Sequence, residues 1–234
     1  AQQIARDTGV RAHYAEIYPN WGEGPKPYLF LKLWWNPDQD VDKLLTEWYV
    51  RCVGPQAAPD LAKYYALWEG FWTKDILQSK WFSVSGQYLA FYSPGYLNDV
   101  KPELIAESRR LLDATLAKCQ TEAQRARAKL LEQAFQYYEA SVLAYQANNT
   151  LTTALVDTEA HALAALDQSV QAVEMGQRRR HLALEVFPKD PVLVHPLSIQ
   201  NSALSGETWG GSGLWAVADW VVRGENAVRR RVED

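Results

Sequence analysis

Residues 10–37, VRAHYAEIYPNWGEGPKPYLFLKLWWNP, constrain this chain more than any other stretch. They read as a buried strand (10–17), an aromatic and polar loop (18–25) and an apolar segment (28–35). Downstream of Pro37 the periodicity is otherwise helical. One strand cannot satisfy its own backbone hydrogen bonds, so it should pair with others. No convincing partner strand lies downstream. Ala1 is not an initiator residue, and IARDTG has the form of a helix tail stopped by Gly9. The expectation is a C-terminal piece of a larger protein, cut near the end of a β/α domain.

The segment 28–35 is apolar apart from Lys32, and its length suits either a strand or a short helix. Pro25 and Pro27 suit a helix start, and Leu and Lys are good helix formers, so a helix is expected. Residues 36–40 then open a second helix, whose acidic residues suit the positive end of the helix dipole. Val41, Leu44, Leu45, Trp48 and Cys52 share one stripe of it. Gly54 and Pro55 stop it. A helix over 56–72 should turn Leu61, Tyr65, Trp68 and Trp72 inward, and so short a connection makes the two antiparallel neighbours.

Residues 76–99 are irregular and aromatic, and read as a packed loop with short helical turns. Three long helices come next, at 101–118, 122–146 and 151–175. Their inward stripes are Ile105, Leu112, Leu116 and Cys119; then Leu131, Phe135, Tyr138, Val142 and Tyr145; then Leu155, Leu163, Leu166, Val170 and Val173. Residues 176–186 continue or kink the last of these. Residues 187–213 read as loop, and 214–232 as a final helix with Leu214, Val217, Val221 and Val228 inward. The fold class is mainly α. A short β/α element (1–36) leads into a helical hairpin and a long-helix bundle (37–234).

Composition narrows the function classes. A net charge of −4 argues against nucleic acid as a partner. The arginine triplets at 178–180 and 229–231 read as solvated helix faces or ends. No run is long or apolar enough to span a membrane. Cys52 and Cys119 fall on apolar stripes and read as buried thiols, with no disulfide framework. His13, His161, His181 and His195 lack metal-ligand spacing, so no metal is expected. No phosphate loop, dinucleotide fingerprint or nucleophile elbow occurs, and no cofactor is expected. The glycine-rich run 210–213 lacks both a phosphate-binding Lys and a preceding strand, and reads as a turn. Localisation stays open, with a secreted or periplasmic parent protein as one expectation.

Glu16 is the strongest single candidate for chemistry. It falls at the C-terminal end of the expected strand, the edge that faces the active site in parallel β/α architectures. A carboxylate there bonds sugar hydroxyls or acts as acid or base. A structural salt bridge or loop cap fits it equally. Tyr18, Asn20 and Trp21 come next in the same loop. An indole face beside polar groups is how a pyranose ring is held, although Trp21 would also serve as a plug. His13 either lines the same place or points away from it. Trp34 and Trp35 diverge by roughly 100° on a helix, so they form no flat platform and read as core.

The run from Lys32 through Asp42, KLWWNPDQDVD, with Leu44, Leu45, Glu47, Trp48 and residues 54–58 (GPQAA), resembles a known pattern. So does YAEIYPNW at 14–21. Together they resemble a bacterial glycosidase-like family with a domain of unknown function, DUF 4838. That family is similar in layout to α-glucuronidases and hexosaminidases. The match extends over about 9–72 and is only general beyond. It implies that Glu16 and Trp21 end the last strand of a TIM barrel and that Asp38 begins the helical domain. The principal acid and base would then sit on earlier strands. The expected function is the C-terminal part of a carbohydrate-active enzyme, with carbohydrate as partner and helices available for homo-oligomer contact. Glu16, Tyr18, Asn20 and Trp21 would be the substrate-binding residues. The alternative is a non-catalytic helical interaction or oligomerisation module.

Overall fold

The computed structural model describes residues 2–10, 12, 21–84 and 94–190. Among them every regular element is helical and no strand occurs. The expected strand at 10–17 falls almost entirely outside the described residues. So do His13, Glu16, Tyr18, Asn20, His195, the glycine run at 210–213 and the expected helix at 214–232.

The order of α-helices is α1 (Gln2–Asp7), α2 (Lys26–Trp35), α3 (Val41–Val53), α4 (Ala58–Gly70), α5 (Lys80–Val84), α6 (Pro102–Lys118), α7 (Glu122–Thr153) and α8 (Glu159–His181). Segment 28–35 is therefore helical. Pro27 sits in the first turn of α2, where its missing N–H leaves no bond unmade.

Local chemistry sets the ends of α3. The Asp40 carboxylate accepts from the backbone N–H groups of Asp42 (3.0 Å) and Lys43 (3.1 Å). Gly54 closes the helix at φ +88°, and a Cβ there would overlap the Gln124 side chain. At the start of α7, the Thr121 hydroxyl accepts from the Gln124 N–H (3.2 Å). The Gln124 carboxamide in turn accepts from the N–H of Gln120 (2.8 Å) and Thr121 (3.2 Å). This reciprocal capping satisfies donors that a helix start leaves orphaned. Thr158 caps α8 by accepting from His161 N–H at 3.2 Å.

The main core gathers Trp48, Val53, Leu61, Phe71, Ile76, Val100, Leu112, Leu131, Phe135 and Val142 from α3, α4, α6, α7 and the turns between them. Phe71–Asp75 is a π-helical turn that continues α4 without a break. It keeps Phe71 in the core, edge-on to both Trp68 and Trp72. The aromatic residues form a chain: Trp48 meets Tyr65, Tyr64 meets Phe135, and Trp68 meets Tyr138. Trp48 and Trp68 thus both pack inward, but on different neighbours. Residues 76–84 and 94–99 consist of short helical turns, as their composition suggests. Cys52 and Cys119 are free, buried thiols.

Several inward assignments fail. Val41 is 43% exposed, although it lies on the α3 stripe, because α2 covers only part of that helix. Trp35 is 91% exposed and is not a core residue, whereas Trp34 on the neighbouring face is partly buried. α7 continues to Thr153, and α8 begins only at Glu159. Leu155, Leu163, Leu166 and Val170 then face outward, at 70, 56, 41 and 53% exposure. The face of α8 turned toward α7 carries the small residues Ala165 and Ala172, which meet Ala147. Residues 176–186 do continue α8, passing into a π-helical turn at Leu182–Val186.

Candidate functional site

Of the four sequence-derived substrate residues, Trp21 alone lies among the described residues. It opens a short turn, Trp21–Glu23, that delivers the chain into α2. Gly24 closes this turn at φ +65°, with its N–H donating to the Trp21 carbonyl at 3.1 Å. A side chain at Gly24 would overlap the Tyr65 ring, so the loop base presses directly on α4.

The Trp21 indole is half-buried. Its ring lies 6.2 Å from that of Trp48, tilted by 42°. Its N–H donates to the backbone carbonyl of Arg127 on α7, at 3.3 Å. It touches two apolar clusters at once, the main core and a smaller one around Leu182 and Phe187 at the end of α8. Trp21 therefore ties the loop base to α3, α7 and the end of α8.

Arg127 extends this anchor. Its guanidinium donates to the carbonyls of Cys52 (2.7 Å) and Arg51 (3.1 Å) in the last turn of α3. A cation there satisfies orphaned carbonyls and complements the negative end of the helix dipole. Burial pushes the Cys52 thiol up to about 12, against a smaller opposite pull from Arg127. The thiol stays protonated and is a packing group rather than a nucleophile.

Two further polar groups lie deep in the structure. The Glu139 carboxylate on α7 is buried and receives both arms of Arg109 from α6. Arg178 from α8 approaches it at 3.8 Å. Arg179 is also buried, donating to the Ser141 hydroxyl and the Tyr137 hydroxyl at 2.8 Å each, with its guanidinium 5.0 Å from the Tyr137 ring centre. Lys118 pairs with the buried Asp60, joining α6 to α4. These contacts join α6 to α7, α7 to α8 and α6 to α4. In Arg109–Glu139 and Lys118–Asp60 only the carboxylate is buried, and its desolvation offsets much of the Coulomb gain, so the pairs add little net stability.

The phenols of the aromatic chain are held neutral by burial. Tyr49 and Tyr96 are each raised to about 12, and Tyr64, Tyr65 and Tyr138 are raised further. None serves as a proton carrier near neutral pH. Among the described residues no group of His, Cys, Asp or Glu is placed to hold a metal ion. No helix among them is long and apolar enough to cross a membrane. His161 and His181 are exposed; His161 sits beside Asp157 (2.5 Å), just before α8, and His181 beside Glu185 (3.2 Å) in the π-helical turn that follows it.

Sequence reasoning missed Arg127, Glu139 and Arg179. The signal for the first two was present. Arg127 heads the stripe that continues through Leu131, Phe135, Tyr138 and Val142, and Glu139 lies one turn on from Phe135. A charge on an apolar stripe points to a buried partner.

The described part is thus an all-helical body with the end of one loop bolted to it. Residues 2–66 match a protein family described as a domain of unknown function, DUF4838. No curated protein and no solved structure matches the chain.

Proposed function

We propose that this chain is the helical support part of a carbohydrate-active enzyme, joined to the last β/α element of a TIM barrel. In this reading residues 1–36 complete the barrel and residues 37–234 form the helical domain, built as a helical hairpin followed by a long-helix bundle. Glu16, Tyr18 and Asn20 face the sugar, and the helical body holds their loop in place. The anchoring of Trp21 carries the reading. Its indole N–H is committed to Arg127 and its ring to Trp48, which fixes the chain directly after Asn20. Trp21 then acts chiefly as the bolt of the loop, with its half-exposed ring still open to a sugar.

Glycoside hydrolysis normally needs two carboxyl groups at set separation. Only Glu16 is assigned to such a position here, so the isolated chain should not turn over glycosides. A panel of aryl glycosides, including glucuronides and N-acetylhexosaminides, is expected to show no hydrolysis above background. Hydrolysis that disappears in Glu16→Gln would contradict the support role.

A second reading, a non-catalytic interaction module, is favoured by α2. Leu31 and Trp35, one turn apart, are 61 and 91% exposed. An indole that open to water is a common anchor of protein contacts. If this reading holds, Trp35→Ser will abolish self-association in sedimentation velocity while leaving the melting temperature unchanged. A wild-type chain that sediments as a monomer at high concentration would remove its homo-oligomer form.

A further inference from the structure

α8 turns its larger apolar residues away from α7, the helix it packs on. Toward α7 it offers Ala165 and Ala172, which allow close approach to Ala147 but bury little area. Outward it offers Leu163, Leu166 and Val170, spaced three and four apart on one exposed stripe. The charges on that stripe have one sign. Glu159 and Asp167 lie four residues either side of Leu163, and Glu174 lies four beyond Val170, so all three share its face. All three are exposed. The surroundings offer them no fixed cation. Residues 140–156, which include the part of α7 around Ala147, carry no charged side chain, and residues 157–175 carry no Lys or Arg. Arg178 and Arg179 turn to α7, where they meet Glu139 and Ser141. His161 is held beside Asp157.

We propose that this stripe docks a basic amphipathic helix of another protein. The partner presents Leu-sized side chains three and four apart, which interleave with Leu163, Leu166 and Val170 as helix ridges do. Lys or Arg on the flanks of its apolar face meets Glu159, Asp167 and Glu174. From Glu159 to Glu174 the stripe runs about 23 Å, which sets a partner helix of roughly four turns. An exposed apolar stripe rimmed by charge of one sign selects both the shape and the sign of what covers it. The surface lies on a different helix from Trp35 and is independent of the sugar loop.

Charge also decides against two other occupants. A second copy meeting this stripe with its own would set acid against acid, parallel or antiparallel, and like charges at a contact cost affinity. The same acids repel an anionic bilayer surface, which attracts basic segments instead.

Peptide binding to the full 234-residue chain tests the docking. The probe is a fluorescent helical peptide of about 15 residues, with Leu three and four apart and Lys on both flanks, read by anisotropy at low salt. It is expected to bind at least about tenfold tighter than the same peptide with Glu in place of Lys. Leu166→Gln with Val170→Gln keeps the acids and should weaken the lysine peptide by about tenfold. Asp167→Asn with Glu174→Gln keeps the apolar stripe and should narrow the preference for lysine to less than about threefold. All four side chains are exposed, so both variants should melt like the wild type. No binding of the lysine peptide would overturn the proposal. Equal binding of a lysine peptide whose Leu are replaced by Ser, or unchanged binding to Leu166→Gln with Val170→Gln, would reduce it to unspecific charge attraction and overturn it too. A wild-type dimer that Val170→Gln dissociates would also overturn it, by making a second copy the occupant.

Discussion

Replacing Trp48 with Ala is expected to lower stability by about 3–5 kcal/mol. Trp48 is 8% exposed and lies where three elements meet. Its ring stands edge-on to Tyr49 at 5.5 Å and to Tyr65 at 5.8 Å, and it backs Trp21 at 6.2 Å. Alanine would leave a cavity that rigid neighbouring rings cannot collapse to fill. A chain of this size should then melt roughly 10 °C lower. An unchanged melt for Trp48→Ala would show that the aromatic chain does not carry the core.

Trp21→Ala is expected to cost about 2–3 kcal/mol, less than a fully buried Trp because the ring is only half-buried. The loss combines its packing with the bond to Arg127. It should also appear locally, as faster hydrogen exchange at the end of α8, where Leu182 and Phe187 rest against the same indole. A variant that melts like the wild type but loses sugar binding would make Trp21 a stacking platform instead.

The parts legible in the sequence were those set by local chemistry. Asp40 caps α3 through bonds within a few residues and Gly54 ends it at a positive φ, so both ends follow from residue type, although the close approach of Gln124 to Gly54 does not. The preference for helix over 28–35 rested on prolines that act in the same turn, and α2 forms there. The direction of α8 was not legible. Periodicity shows that Leu163, Leu166 and Val170 share a stripe, but not which of two faces meets α7. An alanine face proved the closer-packed one. In the same way, the divergence of Trp34 and Trp35 followed from helix geometry, while the near-complete exposure of Trp35 depends on what lies beside α2. The bolt at Trp21 joins residues 106 positions apart, a separation that no local pattern encodes. Of the candidate site, Glu16, Tyr18 and Asn20 lie outside the described residues, and the sugar-binding role proposed for them comes from the sequence alone.

The most direct test of the proposed support role is sugar binding by Glu16→Gln, measured on the longer, barrel-containing protein that the proposal implies. Isothermal titration with glucuronic acid and N-acetylglucosamine oligosaccharides would be paired with thermal melts. Glu16→Gln is expected to weaken binding of the preferred sugar by about 1–3 kcal/mol, the cost of a lost buried polar contact, and to leave the melting temperature unchanged. Trp21→Ala should show the converse emphasis, a lowered melting temperature first and weaker binding as its consequence. Normal sugar binding by Glu16→Gln would contradict the support role and leave this loop as a structural plug.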